Sequence, residues 1–430
     1  MWEPRCIRTE KRRRIGLPLP LSGYPRKGQQ KRGIMVVVNS KWVRASFLLY
    51  ILLHTLSDVT NQAYTVPKYM VMMCSMALGL LLIIANAGTI RLKLQGFFPM
   101  LACAAFFILI SVAAMLSNGL NLYLWEDMGH MLLPLLFAFI LINVDPSPDR
   151  DFYFTAIMLS RILYFLYDNL SQLFNIGAYQ AISYANSYSP FEHPASQVLT
   201  ATFIYFYARR KPVRMTLSAV FSILSFKRIN VVFVLAVLLL GRLARGRKVS
   251  VLLINITQIV FIASPLILDF ILSPAFTVWF SNTFGQSFNQ FTMGRFSQIT
   301  YVMNYEGSLL GRGAVSHMLK STGFGIFHLH ADLLRIYIET TLAGLVLFVT
   351  ASFNLVKTHR NVFCYLYMLL MFITYFSSVA LHGVLNMICV YFICFVDFDA
   401  LDEAEKLKEQ RRKIPGSQSK LKKIAGSLPN

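Results

Sequence analysis

Long apolar runs, separated by short polar segments, constrain the fold of this chain more than any other feature of its sequence. Hydrophobic residues make up 56% of the chain, which is more than a water-soluble domain usually contains. The runs have the lengths that helices need to cross a lipid bilayer. We therefore predict an all-α, polytopic membrane protein built as a bundle of about twelve transmembrane helices.

The predicted spans and the basic residues between them give a consistent topology. The spans are approximately 45–58, 68–88, 97–116, 128–144, 152–175, 194–208, 215–226, 229–241, 250–270, 331–352, 361–378 and 381–397. Each loop that would face the cytoplasm contains lysine or arginine, which is the positive-inside pattern. The net charge of +21 follows from this distribution and does not indicate nucleic-acid binding. Both termini are predicted to be cytoplasmic.

The same pattern divides the chain into five regions. Residues 1–44 form a basic cytoplasmic tail, within which Met35 is an alternative start, and residues 398–430 form a second one. Residues 45–270 hold the first nine helices and residues 330–397 the last three. Residues 271–329 form a long outer loop with helices on the membrane surface. The six cysteines show no paired spacing, so neither a disulfide framework nor a metal site is indicated.

Two adjacent cations interrupt one apolar run, at Lys227 and Arg228. Read as a single helix, this run would place both charges in the middle of the membrane. Read as two short helices joined by a turn, it places them near the outer surface, within a funnel of protein. Adjacent charges there favour an anionic ligand. The alternative is that both side chains extend to the membrane interface.

The start of the tenth span carries ionisable residues where hydrocarbon would be expected. At 100° per residue, His328, Asp332, Arg335 and Glu339 fall on one helix face, while His330 points elsewhere. Ionisable groups near hydrocarbon mark functional sites by default, so this face is expected to line a polar cavity. The alternatives are an interfacial histidine and an ion pair between Asp332 and Arg335 at the helix end.

Arg295 in the long loop completes a set of outward-facing cations with Lys227, Arg228 and Arg335. Arginine offers a rigid, permanently charged fork that suits pyrophosphate oxygens, although Arg295 taken alone could be a solvated loop residue. Such a cluster beside an imidazole or carboxylate suits a lipid-pyrophosphate donor and an acceptor hydroxyl that must lose a proton.

The segment from Gly311-Arg-Gly313 through His330-Ala-Asp-Leu-Leu-Arg-Ile-Tyr-Ile-Glu339 to Gly344 resembles the bacterial O-antigen polymerase and O-antigen ligase superfamily. Lys227–Arg228 and Arg295 are similar to the family's other functional positions. Ala331 stands where the family usually has asparagine, and Thr341 where it has glycine. The number of spans and the long late loop also fit the family.

The resemblance implies metal-independent glycosyl transfer at the periplasmic face of the inner membrane, without a cofactor. The donor would be an oligosaccharide on undecaprenyl pyrophosphate, and the family admits membrane lipids and a chain-length regulator protein as partners. The residues of the motif, His330-Ala-Asp-Leu-Leu-Arg335, favour a repeat-unit polymerase for O-antigen, capsule or exopolysaccharide. The alternatives are a ligase acting on lipid A–core and, from another class, a lipid-linked glycan flippase or transporter.

The family assigns roles to the candidate residues by their positions in the motif. His330 would orient or deprotonate the acceptor hydroxyl, with Asp332 and Glu339 as further catalytic candidates. Lys227, Arg228, Arg295 and Arg335 would bind the pyrophosphate.

Overall fold

The computed structural model describes residues 40–60, 62–86, 92–93, 96–119, 123–145, 150–182, 189–225, 227–244, 247–322, 328–398, 400–401 and 403. Within these residues the regular structure is helical, and strand-type pairing is limited to one isolated bridge between Lys248 and Asn361. The predicted all-α class is confirmed. Residues 1–39 and 404–430, which make up most of the two predicted tails, lie outside the described residues.

The described chain forms helices α1 to α18. Their bounds are α1 Ser40–Val59, α2 Thr65–Ala85, α3 Phe97–Asn118, α4 Tyr123–Val144, α5 Asp151–Leu173, α6 Ile176–Gln180, α7 Ala195–Ala208, α8 Pro212–Leu224, α9 Arg228–Ala244, α10 Val251–Ile262, α11 Ser264–Leu272, α12 Pro274–Phe284, α13 Phe288–Phe291, α14 Arg295–Met303, α15 Ala314–Ser321, α16 Asp332–His359, α17 Val362–Ser377 and α18 Val384–Cys394.

Each predicted span coincides with a helix or, at α10 and α11, with a bent pair of helices. By length and apolar composition, four helices in the described part of the chain could cross a membrane: α2, α3, α4 and α16. A fifth span results if α10 and α11, which are bent by 45°, are counted together. Helices α8, α9, α17 and α18 are apolar but shorter. These helices indicate a membrane protein, whereas twelve crossings remain a prediction.

Helices α7 and α18 form the centre of the bundle, since every residue of both is buried. Helix α7 packs against α5, α8, α9 and α18, while α18 also packs against α4. Polar groups join α7 to α8 inside this apolar core: Thr200 lies 2.6 Å from Ser222, and Thr202 donates to Ser218 at 3.1 Å. Ser218 and Ser222 are one turn apart, so both face α7.

Helix α16 is broken at Thr341, one helical turn before Gly344. Thr341 has φ +65° and ψ 178°, which interrupts the helical backbone. The carbonyl of Glu339 consequently accepts a hydrogen bond from the Gly311 N–H at 2.7 Å. This conformation is almost restricted to glycine and costs another residue about 1–3 kcal/mol. The break therefore allows a backbone hydrogen bond between the first part of α16 and the segment before α15, and it does so with strain in the backbone at Thr341.

Thr341→Gly is expected to stabilise the protein by about 1 kcal/mol, because glycine adopts this conformation without strain. Thr350→Gly is the matched control: Thr350 lies in the regular part of α16, where glycine should destabilise by about 1 kcal/mol. Unfolding of both purified variants in detergent measures the difference. A Thr341→Gly protein no more stable than wild type would show that the break carries no strain.

Candidate functional site

The first residue of α16 fastens this helix to the segment before α18. Asp332 is fully buried, and its Oδ2 accepts hydrogen bonds from the backbone N–H groups of Ala380 and Leu381, at 2.6 and 2.9 Å. A carboxylate held by backbone donors at a helix N-terminus is stabilised by the helix dipole. In this structure Asp332 therefore connects two segments and is not directed at a cavity.

A buried ion cluster continues from this point and consists of Asp127, Arg312, Arg335, Glu339 and His382. Arg335 pairs with Asp127 of α4 and with Glu339 one turn along α16, the latter at 3.3 Å. Arg312 donates to Glu339 at 2.7 Å, and His382 Nε2 lies 2.8 Å from Asp127. Two guanidinium groups thus face two carboxylates, which balances the buried charge.

Two glycines position Arg312 in this cluster. Gly311 and Gly313 have φ of +96° and +83°, a region that other residues rarely adopt. A Cβ atom on Gly313 would lie 2.6 Å from the backbone of Tyr123. The Arg312 N–H donates to Ser111 at 2.9 Å. Sequence reasoning missed Arg312 and Asp127 as members of this cluster, although an arginine between two glycines is a signal for such a constrained turn.

A second feature is a cavity of about 250 Å³, here called the cationic cavity. Its charged or titratable lining residues are Arg228, Arg295 and His330. The Arg228 guanidinium lies 5.9 Å from the centre of the Phe291 ring, and Arg295 donates to the Ser377 carbonyl at 2.9 Å. The apolar lining residues include Leu268, Ile271, Leu272, Phe288, Phe291, Phe296, Ile299 and Phe376. The cavity therefore combines an apolar wall with two guanidinium groups.

The electrostatics around His330 favour a neutral imidazole. Burial, followed by the positive charge of Arg295, lowers the pKa of His330 to about 4. Burial also lowers the pKa of Lys227, which Glu192 partly opposes, and burial lowers the pKa of the Arg295 guanidinium. The Nδ1 atom of His330 is buried without a hydrogen-bond partner among the described residues. At neutral pH His330 is therefore uncharged, and its Nδ1 atom is not engaged by another described residue.

A larger cavity of about 750 Å³, here called the polar cavity, lies among α1, α2, α4, α5 and the starts of α7 and α18. Arg161 pairs with Asp58 at 2.7 Å on its wall, and His54 contacts the same carboxylate at 3.0 Å. The acidic, basic and histidine residues of its lining are His54, Asp58, Lys68, Glu126, His130, Arg161, Lys227, His328 and His382. Lys227 and Arg228 therefore line different cavities, as do His328 and His330.

The structure divides the candidate residues into three groups. It brings Arg228, Arg295 and His330 together around the cationic cavity, and it places Lys227 on the polar cavity. Neither cavity is lined by Asp332, Arg335 or Glu339. His328 of the predicted helix face lines the polar cavity. For Asp332, Arg335 and Glu339 the expectation of a cavity is corrected, because buried ion pairs and backbone amides occupy their polar groups. Whether the seven residues have the assigned catalytic and pyrophosphate-binding roles stays a prediction.

Within the described residues, no group of three or more histidine, cysteine, aspartate and glutamate side chains is arranged to hold a metal ion. The chain matches no protein-family model, and no curated protein matches it in sequence. The resemblance to the O-antigen polymerase and ligase superfamily thus remains an interpretation of the sequence, and the functional argument depends on the geometry of the cavities.

Proposed function

We propose that this protein is a membrane glycosyltransferase that polymerises lipid-linked oligosaccharide repeat units. Its donor is an oligosaccharide on undecaprenyl pyrophosphate, and its product is a longer O-antigen, capsule or exopolysaccharide chain. The observation that carries this proposal is the meeting of Arg228, Arg295 and His330 around one largely apolar cavity.

The cationic cavity suits the chemistry of a lipid pyrophosphate. Its leucine, isoleucine and phenylalanine side chains offer an apolar surface to the first isoprene units of the lipid. Two guanidinium groups present bidentate donors to the pyrophosphate oxygens and keep their charge at any physiological pH. The interactions of these groups with the pyrophosphate become stronger as negative charge develops on it during departure. An interaction that is stronger in the transition state than in the ground state accelerates the reaction.

His330 accounts for the proton that the reaction must remove. An acceptor hydroxyl oxygen forms a new bond to the anomeric carbon of the donor sugar, while the bond from that carbon to the pyrophosphate oxygen breaks. The electron pair of the broken bond leaves with the pyrophosphate. The hydroxyl proton passes to the neutral imidazole of His330, which acts as a general base. Arg228 and Arg295 stabilise the departing charge.

Arg335 and Glu339 have a structural role in this proposal. Both are buried, and their charged atoms contact Asp127, Arg312 and each other. This ion cluster fixes α16 against α4 and the turn at Arg312. Since His330 lies two residues before Asp332, the first residue of α16, the cluster determines where the imidazole is held.

A deletion strain tests the proposed reaction and separates it from its alternatives. Loss of a polymerase should leave single repeat units on the acceptor, with no long chains. Bare lipid A–core together with accumulated lipid-linked polymer would indicate a ligase. Repeat units retained on the cytoplasmic side would indicate a flippase. Either of these two outcomes contradicts the proposal.

The pH dependence of kcat/KM should report the pKa of His330 in the free enzyme. Because that pKa is about 4, His330 is neutral above this value and protonated below it. We expect kcat/KM to be unaffected by His330 between about pH 7 and 5.5 and to fall near pH 4. Comparing the pH profile of kcat/KM between wild type and His330→Gln distinguishes the titration of His330 from that of other ionisable groups. An acid limb near pH 6.5 that disappears in His330→Gln would show an ordinary histidine and contradict the proposed electrostatics.

A further inference from the structure

The polar cavity contains a buried cation that the proposed transfer does not use. Lys68 lies in the first turn of α2, is only 9% exposed and lines the cavity. Its Nζ atom lies 5.3 Å from the centre of the Tyr69 ring, and the Asp58 carboxylate acts on it electrostatically without a direct bond. Among the described residues, none forms a hydrogen bond or ion pair with the Lys68 ammonium. A buried cation without a directly bonded anion is costly, so its position suggests a bound anion.

The charges of the cavity wall indicate how large that anion is. Lys68, Arg161 and Lys227 are cationic, and Asp58 and Glu126 are anionic, which leaves one positive charge when the histidines are neutral. The Asp58 carboxylate already contacts Arg161 and His54, at 2.7 and 3.0 Å. One surplus positive charge matches a carboxylate better than a phosphate dianion.

The uncharged part of the wall suits a saccharide. Gln197 and Asn386 present side-chain amides, and Asn386 donates to Gln197 at 2.9 Å. Trp125 and Tyr164 add aromatic surface. Amide groups exchange hydrogen bonds with sugar hydroxyls, and aromatic rings pack against the C–H faces of pyranose rings. The cavity, at about 750 Å³, has room for more than one sugar ring.

We infer that the polar cavity binds a glycan through a sugar carboxylate, and that Lys68 determines this specificity. The inference rests on the proposed function, in which the cationic cavity takes the pyrophosphate and the acceptor glycan occupies the neighbouring polar cavity. It names the substrate class: the repeat unit contains an acidic sugar such as a uronic acid. Lys68 binds the carboxylate as a point charge, and Lys227 contributes from another part of the wall.

Direct binding to the purified protein in lipid nanodiscs tests this assignment without requiring glycosyl transfer. The probes are a tetrasaccharide of alternating glucuronate and N-acetylglucosamine and the same tetrasaccharide after reduction of its carboxyl groups. Wild type should bind the acidic form about tenfold more tightly, the size expected of a hydrogen bond to a charged group. Lys68→Met should bind both forms alike, and Lys68→Arg should keep the preference.

The exposed Lys248 provides the matched control, because it lies outside both cavities. Lys248→Met should behave as wild type. Equal binding of the two probes by wild type, or an unchanged preference in Lys68→Met, would overturn the assignment. Displacement of the acidic probe by inorganic phosphate at concentrations where acetate has no effect would assign Lys68 to a phosphate and also overturn it. A deletion strain that still makes long chains would refute only the polymerase proposal, leaving the binding result as it stands.

Discussion

Arg295→Ala and Arg228→Ala should each lower the rate of glycan polymerisation by about 10²–10³-fold while leaving the folded protein in the membrane. This is the usual effect of removing one group that stabilises charge in a transition state. Both side chains line the cationic cavity and neither belongs to the buried ion cluster, so their removal should spare the fold. Polymerisation of a purified lipid-linked repeat unit by reconstituted protein measures the change.

Arg247→Ala is the control for these two variants. Arg247 is an exposed arginine that lines neither cavity, so its loss should leave the rate unchanged. The double variant Arg228→Ala with Arg295→Ala should lose more activity than either single variant. Wild-type chain extension in both single variants would refute the proposal that these guanidinium groups stabilise the leaving pyrophosphate.

Arg335→Leu should destabilise the protein by about 3–5 kcal/mol, because it leaves the carboxylates of Asp127 and Glu339 buried with one guanidinium partner fewer. The expected result is a loss of protein from the membrane and a lower unfolding temperature in detergent. Any loss of polysaccharide should follow the loss of folded protein. Protein abundance, unfolding temperature and activity per folded molecule are measured together.

The double variant Arg335→Leu with Asp127→Leu separates the two roles considered for Arg335. Removing one charge of each sign restores the balance in the ion cluster, so part of the lost stability should return. An Arg335→Leu protein with wild-type stability and no activity would contradict the structural role. That result would favour the pyrophosphate-binding role that the sequence suggests.

The positions of most helices could be predicted from the sequence, because apolar runs and basic loops are local signals. The interruption at Lys227 and Arg228 predicts two short helices, and the structure has two: α8 ends at Leu224, and α9 begins at Arg228 itself. The order of apolar runs does not predict the break at Thr341. That break depends on the Gly311 N–H reaching the Glu339 carbonyl from a distant part of the chain.

The candidate site was harder to predict, because it depends on contacts between distant segments. The spacing of Arg335 and Glu339 correctly places both on one face of α16. It does not predict that Arg335 pairs with Asp127, because Asp127 lies 208 residues earlier in the chain. A polar helix face can line a cavity or meet opposite charges, and sequence periodicity alone cannot distinguish the two. Likewise, Lys227 lies just before α9 and Arg228 is the first residue of that helix, and their side chains line different cavities.

The affinity of the purified protein for undecaprenyl pyrophosphate tests the central claim most directly. Wild-type protein in nanodiscs should bind the pyrophosphate lipid more tightly than undecaprenol, which lacks the charged group. Arg228→Ala with Arg295→Ala should lose that preference, whereas Lys68→Met should retain it. Equal binding of the two lipids by wild type, or an undiminished preference in the double variant, would contradict the account.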